Sequence, residues 1–462
     1  MGRRTKRSLY TAAIAGLCGA LLLSACSVSD STTTATTVPN GEPTATTVAS
    51  GPTAITQGIT GNKVAGPFTN PTAVARRPMR NQIWVAERAG YVRGILQVTD
   101  WNNETGQTVR GRYRSYTYPM MDITRDVRNS ENGGIRGIAF STDGLTVYLS
   151  YINRSGDLVV AKWEVVDRYA KRPPAPAPEP TPQTNGSTSS TSSTTTSTTT
   201  TTLDPYSLTP EQRTDIPPPE VNPNTREIIL TITNQSDTNI SGSLVLGRDG
   251  YLYIGVGDDE NNAALAQDPN SQLGKILRID PSGATNDNKY SIPATNPYIK
   301  GGGNPSVLIL GAKDPSSFSF DRSTGDMWIA DSGASNNQEI DWLPTAKIPG
   351  ANLGWPNYSG SDNVQGKLEN TVSPLVTLTL GENCRAVSGV VYRGASMERL
   401  RGTYLFGNSC SGTIDGLLQR RGQILDRKTL TTIGGDIVGF ADDDQGEVVV
   451  LTTDGLYRLV AS

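Results

Sequence analysis

With no histidine anywhere in its 462 residues, the chain must leave proton transfer near neutral pH mainly to carboxylates. Asp258, Asp259 and Glu260 follow the apolar stretch "YLYIGVG". A carboxylate placed there can face a cavity as a base, and Asp258 is the leading candidate; the same cluster also serves to cap a turn. A second stretch, "DSGASNNQEIDW" (331–342), gathers Asp331, Ser335, Asn336, Asn337, Gln338 and Glu339. Those are oxygens of the kind a hard cation such as calcium takes, six to eight at a time, although a Gly-, Ser- and Asn-rich loop also suits any hairpin. Trp355, Tyr358 and Tyr253 offer either a stacking platform for a sugar ring or packing between sheets.

The start of the chain reads as an export signal. Arg3, Arg4, Lys6 and Arg7 precede an apolar run from Ala12 to Leu23, which closes in Leu23-Ser24-Ala25-Cys26. Residues 1–25 are therefore expected to be a lipoprotein signal peptide, and Cys26 the lipidated residue of a protein anchored to the outer face of a bacterial membrane. An ordinary cleaved signal with an incidental cysteine is the alternative, and the paired arginines leave both the Sec and the twin-arginine export routes open. Losing those four cations takes the net charge from −3 to −7, which argues against a nucleic-acid partner. With Cys18 in the signal and Cys26 under lipid, Cys384 and Cys410 remain. In an exported protein they most simply form one disulfide, free thiols being the alternative.

Residues 26–62 are rich in Ser, Thr, Gly and Pro, the composition of a flexible tether. Residues 172–222, from "RPPAPAPEPTPQ" through the Ser/Thr tract to "IPPPEVN", cannot bury enough apolar surface to offset their ordering entropy. They read as a disordered insertion between two blades of one folded body, residues 63–462, or else as a linker between two domains.

Six times a polar turn leads into a short apolar strand and out through another turn: "NQIWVAERAG", "LTVYLSYINRSG", "YLYIGVGD", "DMWIADSG", "TYLFGNSCSG" and "EVVVLTTDG". Helical periodicity is scarce, while Gly (48) and Pro (29) supply turns in abundance. The intervals, with the insertion removed, each hold a four-stranded sheet. The expected fold is all-β, a six-bladed β-propeller, whose site for chemistry is the mouth of the central channel.

Ten stretches in order resemble the glucose/sorbosone dehydrogenase family, soluble aldose dehydrogenases that use pyrroloquinoline quinone (PQQ) and calcium on such a propeller. They are "NQIWVAERAGYVRGI", "NGGIRGIAFSTDG", "SGSLVLGRDGYLYIGVGD", "AQDPNSQLGKILRID", "IPATNPY", "FSFDRSTGDMWIADSG", "NLGWPNYSG", "SGVVYRG", "LRGTYLFGNSCSG" and "ADDDQGEVVVL". The resemblance implies a histidine base, an Arg-Asn pair that grips the cofactor's carboxylates, and calcium that polarises the quinone. In this chain Asn239 stands at the histidine, and a carboxamide accepts no proton near neutral pH; general-base help is worth about 10²- to 10⁴-fold. Lys313 and Asp314, in "LGAKDPSSF", stand at the Arg-Asn pair. Lysine lacks the planar fork, and a carboxylate at about 4 Å from an anionic cofactor costs about 4 kcal/mol at an effective dielectric near 20, unless Lys313 and Asp314 pair with each other. The metal positions carry over as Glu339 with the backbone carbonyls of Gly333, Ala334 and Leu353. Calcium is thus expected as a candidate ligand and PQQ as a doubtful one. The placing of "SGVVYRG" and "GTYLFGNSCSG" as neighbouring strands makes the Cys384–Cys410 pair an in-blade staple.

Three functions follow as expectations. The first is a monomeric cell-surface lipoprotein that keeps the scaffold and binds a sugar, a cell-wall glycan or a surface protein. The second is a PQQ- and calcium-dependent aldose dehydrogenase with a remodelled site, using Asp258 or Asp314 as base. The third is a calcium-dependent hydrolase acting on lactones at the same channel.

Overall fold

The computed structural model describes residues 33–34, 46–47, 52–102, 107–166, 220–233, 238, 240–283 and 289–462. Residues 1–52 and 53–462 are separate units. In the first, Thr33–Thr34 pairs antiparallel with Thr46–Thr47. The expected signal peptide, Cys26, most of the expected tether and residues 167–219 lie outside the described residues.

The second unit is the propeller. Six antiparallel sheets follow one another in the chain, and each begins at the channel. The innermost strands are Pro71–Arg77, Gly134–Phe140, Ser241–Leu246, Ser317–Phe320, Ala386–Val391 and Ile437–Asp442. Each touches the next, and the sixth touches the first, so they close a ring. The second strands are Gln82–Glu87, Thr146–Ile152, Leu252–Val256, Met327–Ser332, Tyr404–Asn408 and Val448–Thr452, each lying in one of the six apolar repeats read from the sequence. They sit with a neighbouring blade on either face, so several are buried at every position. That is why they appear as continuous apolar runs and not as alternations. Outer strands return to solvent, as in Gln423–Thr432 of blade five.

Aromatic pairs bridge the blades. Trp84 meets Phe140 edge-on at 4.9 Å, Tyr253 meets Phe320 at 4.7 Å, and Trp328 stacks on Tyr404 at 4.1 Å. Among the described residues the only helices are short 3-10 turns, and no helix is long and apolar enough to cross a membrane.

Two boundaries differ from the sequence reading. The last blade borrows its outermost strand, Ile59–Ala65, from the start of the unit, pairing Ile59 with Ala461. Ile55 is also buried and donates its N–H to Asp426 at 2.8 Å. The folded body therefore begins upstream of residue 63. The Pro/Ser/Thr-rich insertion falls within blade two, between its third strand Leu158–Val166 and its fourth Glu227–Ile232, and not between blades. At the outer edge of a blade, extra loop length costs little closure entropy. The sheet resumes by Glu220–Val221, which pairs with Val165 and Val166.

Candidate functional site

One mouth of the channel collects the starts of the innermost strands and the ends of the second strands. The loop Lys313-Asp314-Pro315 crosses this mouth from blade three to blade four. Asp331 pins its backbone, accepting N–H bonds from Lys313 (2.9 Å), Asp314 (2.7 Å) and Ser332 (2.8 Å). From the other side the hydroxyls of Ser241 and Ser243 donate to the Pro315 carbonyl at 2.6 and 2.7 Å. So held, the Lys313 carbonyl accepts the N–H of Asp258 at 2.7 Å. The Lys313 ammonium lies 5.4 Å from the centroid of the Trp355 ring, a cation–π distance. Trp355 in turn donates its indole N–H to the Asp258 carboxylate at 2.7 Å. Asp258, Lys313 and Trp355 are thus linked to one another, and Asp258 is only 1% exposed.

Asp314 is also 1% exposed. It does not pair with Lys313; the half-exposed Arg385 of blade five comes within 3.0 Å, a charge contact without hydrogen-bonding geometry. Beside it stands Arg136 on the innermost strand of blade two, whose Nε donates to the Ser241 carbonyl at 3.1 Å. Burial lowers the Arg136 pKa to about 10; Asp314 opposes that shift, while Arg385, Arg88 and Arg128 add to it. The mouth is therefore cationic, with four guanidiniums converging from blades one, two and five. The sequence reading missed this group. Arg88, Arg136 and Arg385 adjoin or lie in strands that begin or end at the mouth, in "AERAG", "GGIRG" and "NCRAV", while Arg128, in "DVRN", lies in a loop whose N–H bonds the end of a second strand at Ile152; only ring closure brings them together.

The other charged feature is the face of blade four that looks toward blade three. Asp331 pairs with Glu339 across the strands, and Asp341 follows two residues on, on the same face. All three are buried. Burial, reinforced by Glu339, raises the Asp331 pKa well above the ordinary carboxylate range. Burial pushes Glu339 up to about 7, against the N–H of Gly360 that it accepts. Asp341 is raised by burial and then by Glu339 and Asp331, and neither of its oxygens has a hydrogen-bond partner. Three crowded carboxylates, one of them orphaned, are a setting that either protons or a cation would relieve. Gly333 and Ala334 lie close to Glu339, because Ser359 accepts the Ala334 N–H at 2.7 Å and its neighbour Gly360 donates to Glu339. Leu353, in the preceding loop, is buried and donates its N–H to Leu310 at 2.9 Å. Among the described residues no three acidic side chains are arranged to hold one metal ion. A calcium ion here would rest on Glu339 and the carbonyls of Gly333, Ala334 and Leu353, and would neutralise buried negative charge.

The remaining sequence candidates are settled case by case. Asn239 lies outside the described residues. Cys384 and Cys410 form a disulfide with Cα atoms 5.5 Å apart; it joins the start of blade five's innermost strand to the end of its second, as the in-blade reading holds. Tyr253 is buried between blades three and four, its hydroxyl on Asp249 at 2.7 Å. Of the three aromatic candidates, Trp355 is the one tied into the Asp258–Lys313 unit. At the positions that the resemblance gives to the cofactor-gripping pair, Lys313 lies against the Trp355 ring and the Asp314 carboxylate lies beside Arg385 and Arg136.

A family model described as Glucose / Sorbosone dehydrogenase matches residues 218–460. Among known proteins, the chain is 26% identical over 283 residues to the HIPL1 protein of Arabidopsis thaliana, a match covering 50% of this chain and 40% of that protein. It is 26% identical over 260 residues to the Hedgehog-interacting protein of Homo sapiens, covering 51% of this chain and 34% of that one. The chain thus spans less than half the length of either relative. Among solved structures, a putative oxidoreductase (glucose dehydrogenase) from Thermus thermophilus superposes with a TM-score of 0.59 at 19% identity, over 88% of this chain and all of that one. At that identity the likeness speaks for the fold.

Proposed function

The chain belongs to the glucose/sorbosone dehydrogenase family, and from that premise we propose that it is a binding member of the family that no longer oxidises sugars. Its ligand is a sugar, a cell-wall glycan or a surface protein, met at the cationic mouth; Cys26 anchors the protein by lipid on the outer face of the membrane. The observation that carries this reading is the buried Asp314 carboxylate, with the half-exposed Arg385 beside it, which puts a carboxylate where the resemblance expects an amide and sets it against one of the mouth's cations. Two further points support it. No imidazole exists to act as base, and the leading carboxylate candidate, Asp258, accepts the Trp355 indole N–H. The name of the Hedgehog-interacting protein, which describes binding to a protein, is consistent with a partner-binding role in this family. Calcium, where it binds, is structural.

The test is dye-linked oxidation of a panel of aldoses by residues 53–462 supplied with PQQ and Ca²⁺. No turnover above the protein-free blank is expected. Turnover at ordinary enzyme rates, on the order of 1 s⁻¹ or more, would restore the reading of a remodelled dehydrogenase.

A further inference from the structure

Away from the channel, a cleft of about 1040 Å³ opens between the outer parts of blades four and five, at the upper end of the range that small-molecule sites occupy. One wall is blade four: Trp342 and Leu343 at the end of its third strand, Asn337–Leu343, then Pro344 and Pro349, and Val372 and Pro374 ahead of its fourth strand, Val376–Thr379. The other wall is the turn of blade five between Thr413–Arg420 and Gln423–Thr432, which contributes Gly422 and Ile424. Gly422 lies close to the Trp342 ring, where a Cβ would come within 3.2 Å of it. Ile424 is 44% exposed.

This cleft offers an occupant few hydrogen-bond donors. Pro344, Pro349 and Pro374 have no N–H. The N–H groups of Lys347, Gly350, Ala351, Val372, Leu375 and Gly422 are all taken within the fold, and the Trp342 indole N–H goes to Asp326 at 3.3 Å. Asn370 and Ser373 are the uncharged polar side chains of the lining. A peptide backbone or a sugar would leave acceptors without donors here. An alkyl chain has none to satisfy, and each methylene it buries is favourable.

The lining holds one charged side chain, Lys347, which is exposed and makes no ion pair among the described residues. Arg420 and Arg421, just before Gly422, are exposed as well. The acids that flank the cleft's residues are engaged or buried. Asp326 accepts the indole N–H of Trp342 and, at 3.1 Å, the backbone N–H of Thr345. Glu369 pairs with Lys367 at 2.9 Å, and Asp341 is buried.

We propose that this cleft is a binding site, separate from the Asp258–Lys313 mouth, for a long-chain carboxylate of the fatty-acid class. The chain lies between Trp342 and Ile424, and its carboxylate reaches Lys347. An exposed ion pair of this kind contributes a factor of about two to five in affinity, so the chain supplies most of the binding.

The probes are octanoate, decanoate and dodecanoate, titrated by calorimetry into residues 53–462 below their micelle concentrations, with 1-octanol as the uncharged counterpart of octanoate. The expected result is saturable 1:1 binding that tightens about two- to fourfold with each added methylene, and 1-octanol about two- to fivefold weaker than octanoate. Lys347→Gln, at an exposed position, is expected to erase the difference between acid and alcohol. Ile424→Glu sets a repelling charge against the chain and is expected to weaken dodecanoate about tenfold or more; should it fail to fold, the chain-length series and Lys347→Gln decide. Affinity independent of chain length, equal affinity for octanoate and 1-octanol, unchanged binding in a folded Ile424→Glu, or no saturation by dodecanoate would each overturn the proposal.

Discussion

Glu339→Gln tests the buried acidic face of blade four. Glu339 holds its proton up to about pH 7 in the folded protein, against an ordinary value of 4.5, because burial disfavours its charged form. A folded pKa raised in this way contributes stability that is fully present below pH 4.5 and lost as pH rises through 7. The gap corresponds to a loss on the order of 3 kcal/mol across that window. Glutamine keeps an oxygen for the Gly360 N–H and never ionises, so the variant should not suffer this loss. It also spares Asp331 and Asp341 a repelling charge. Urea unfolding at pH 4.5 and pH 8 measures the difference. Wild type should fall relative to Glu339→Gln by on the order of 3 kcal/mol between the two conditions, leaving the variant the more stable at pH 8. Parallel pH profiles for the two proteins would refute the reasoning, because they would mean that Glu339 titrates like an exposed carboxyl.

Other expectations follow from the same contacts. Millimolar Ca²⁺ at pH 8 should raise the urea midpoint of wild type and leave that of Glu339→Gln unchanged; an equal rise in both would take the ion away from Glu339. Arg385→Met removes the half-exposed partner of Asp314 while Arg136 stays beside it, and should cost on the order of 1 kcal/mol in urea unfolding. Adding Asp314→Asn should recover much of that loss, and a double variant no better than the single one would contradict the pairing. Replacing Cys384 and Cys410 by serine should cost roughly 3 kcal/mol through the freed unfolded chain; unchanged stability would show that the staple closes a loop already constrained without it.

The sequence exposed the second strands most clearly because both of their faces are buried, and each therefore reads as an unbroken apolar run. The innermost strands were harder to read. "GIRGIAF" and "SGSLVL" mix Gly, Ser and Arg with apolar residues because they line a channel and approach one another closely. The strand Ile59–Ala65, "ITGNKVA", alternates weakly and sits at an outer edge; only its pairing with the far end of the chain reveals it. The site divides in the same way. Lys313, Asp314 and Asp258 were identifiable from local motifs, whereas the indole bond between Trp355 and Asp258 spans 97 residues and the arginine group spans blades one to five. A propeller assembles its mouth from one loop per blade, so charge that looks scattered along the chain becomes concentrated in space. The bare Coulomb cost assigned to Asp314 was for the same reason too large, because Arg385 and Arg136 stand beside it.

The central claim is that this mouth no longer seats the quinone cofactor, and calorimetric titration of PQQ into residues 53–462 with excess Ca²⁺ tests it most directly. The account predicts no saturable heat up to cofactor concentrations on the order of 100 µM, which corresponds to less than about 6 kcal/mol of binding free energy. A saturable 1:1 isotherm in the low micromolar range, weakened by Lys313→Met, would contradict it.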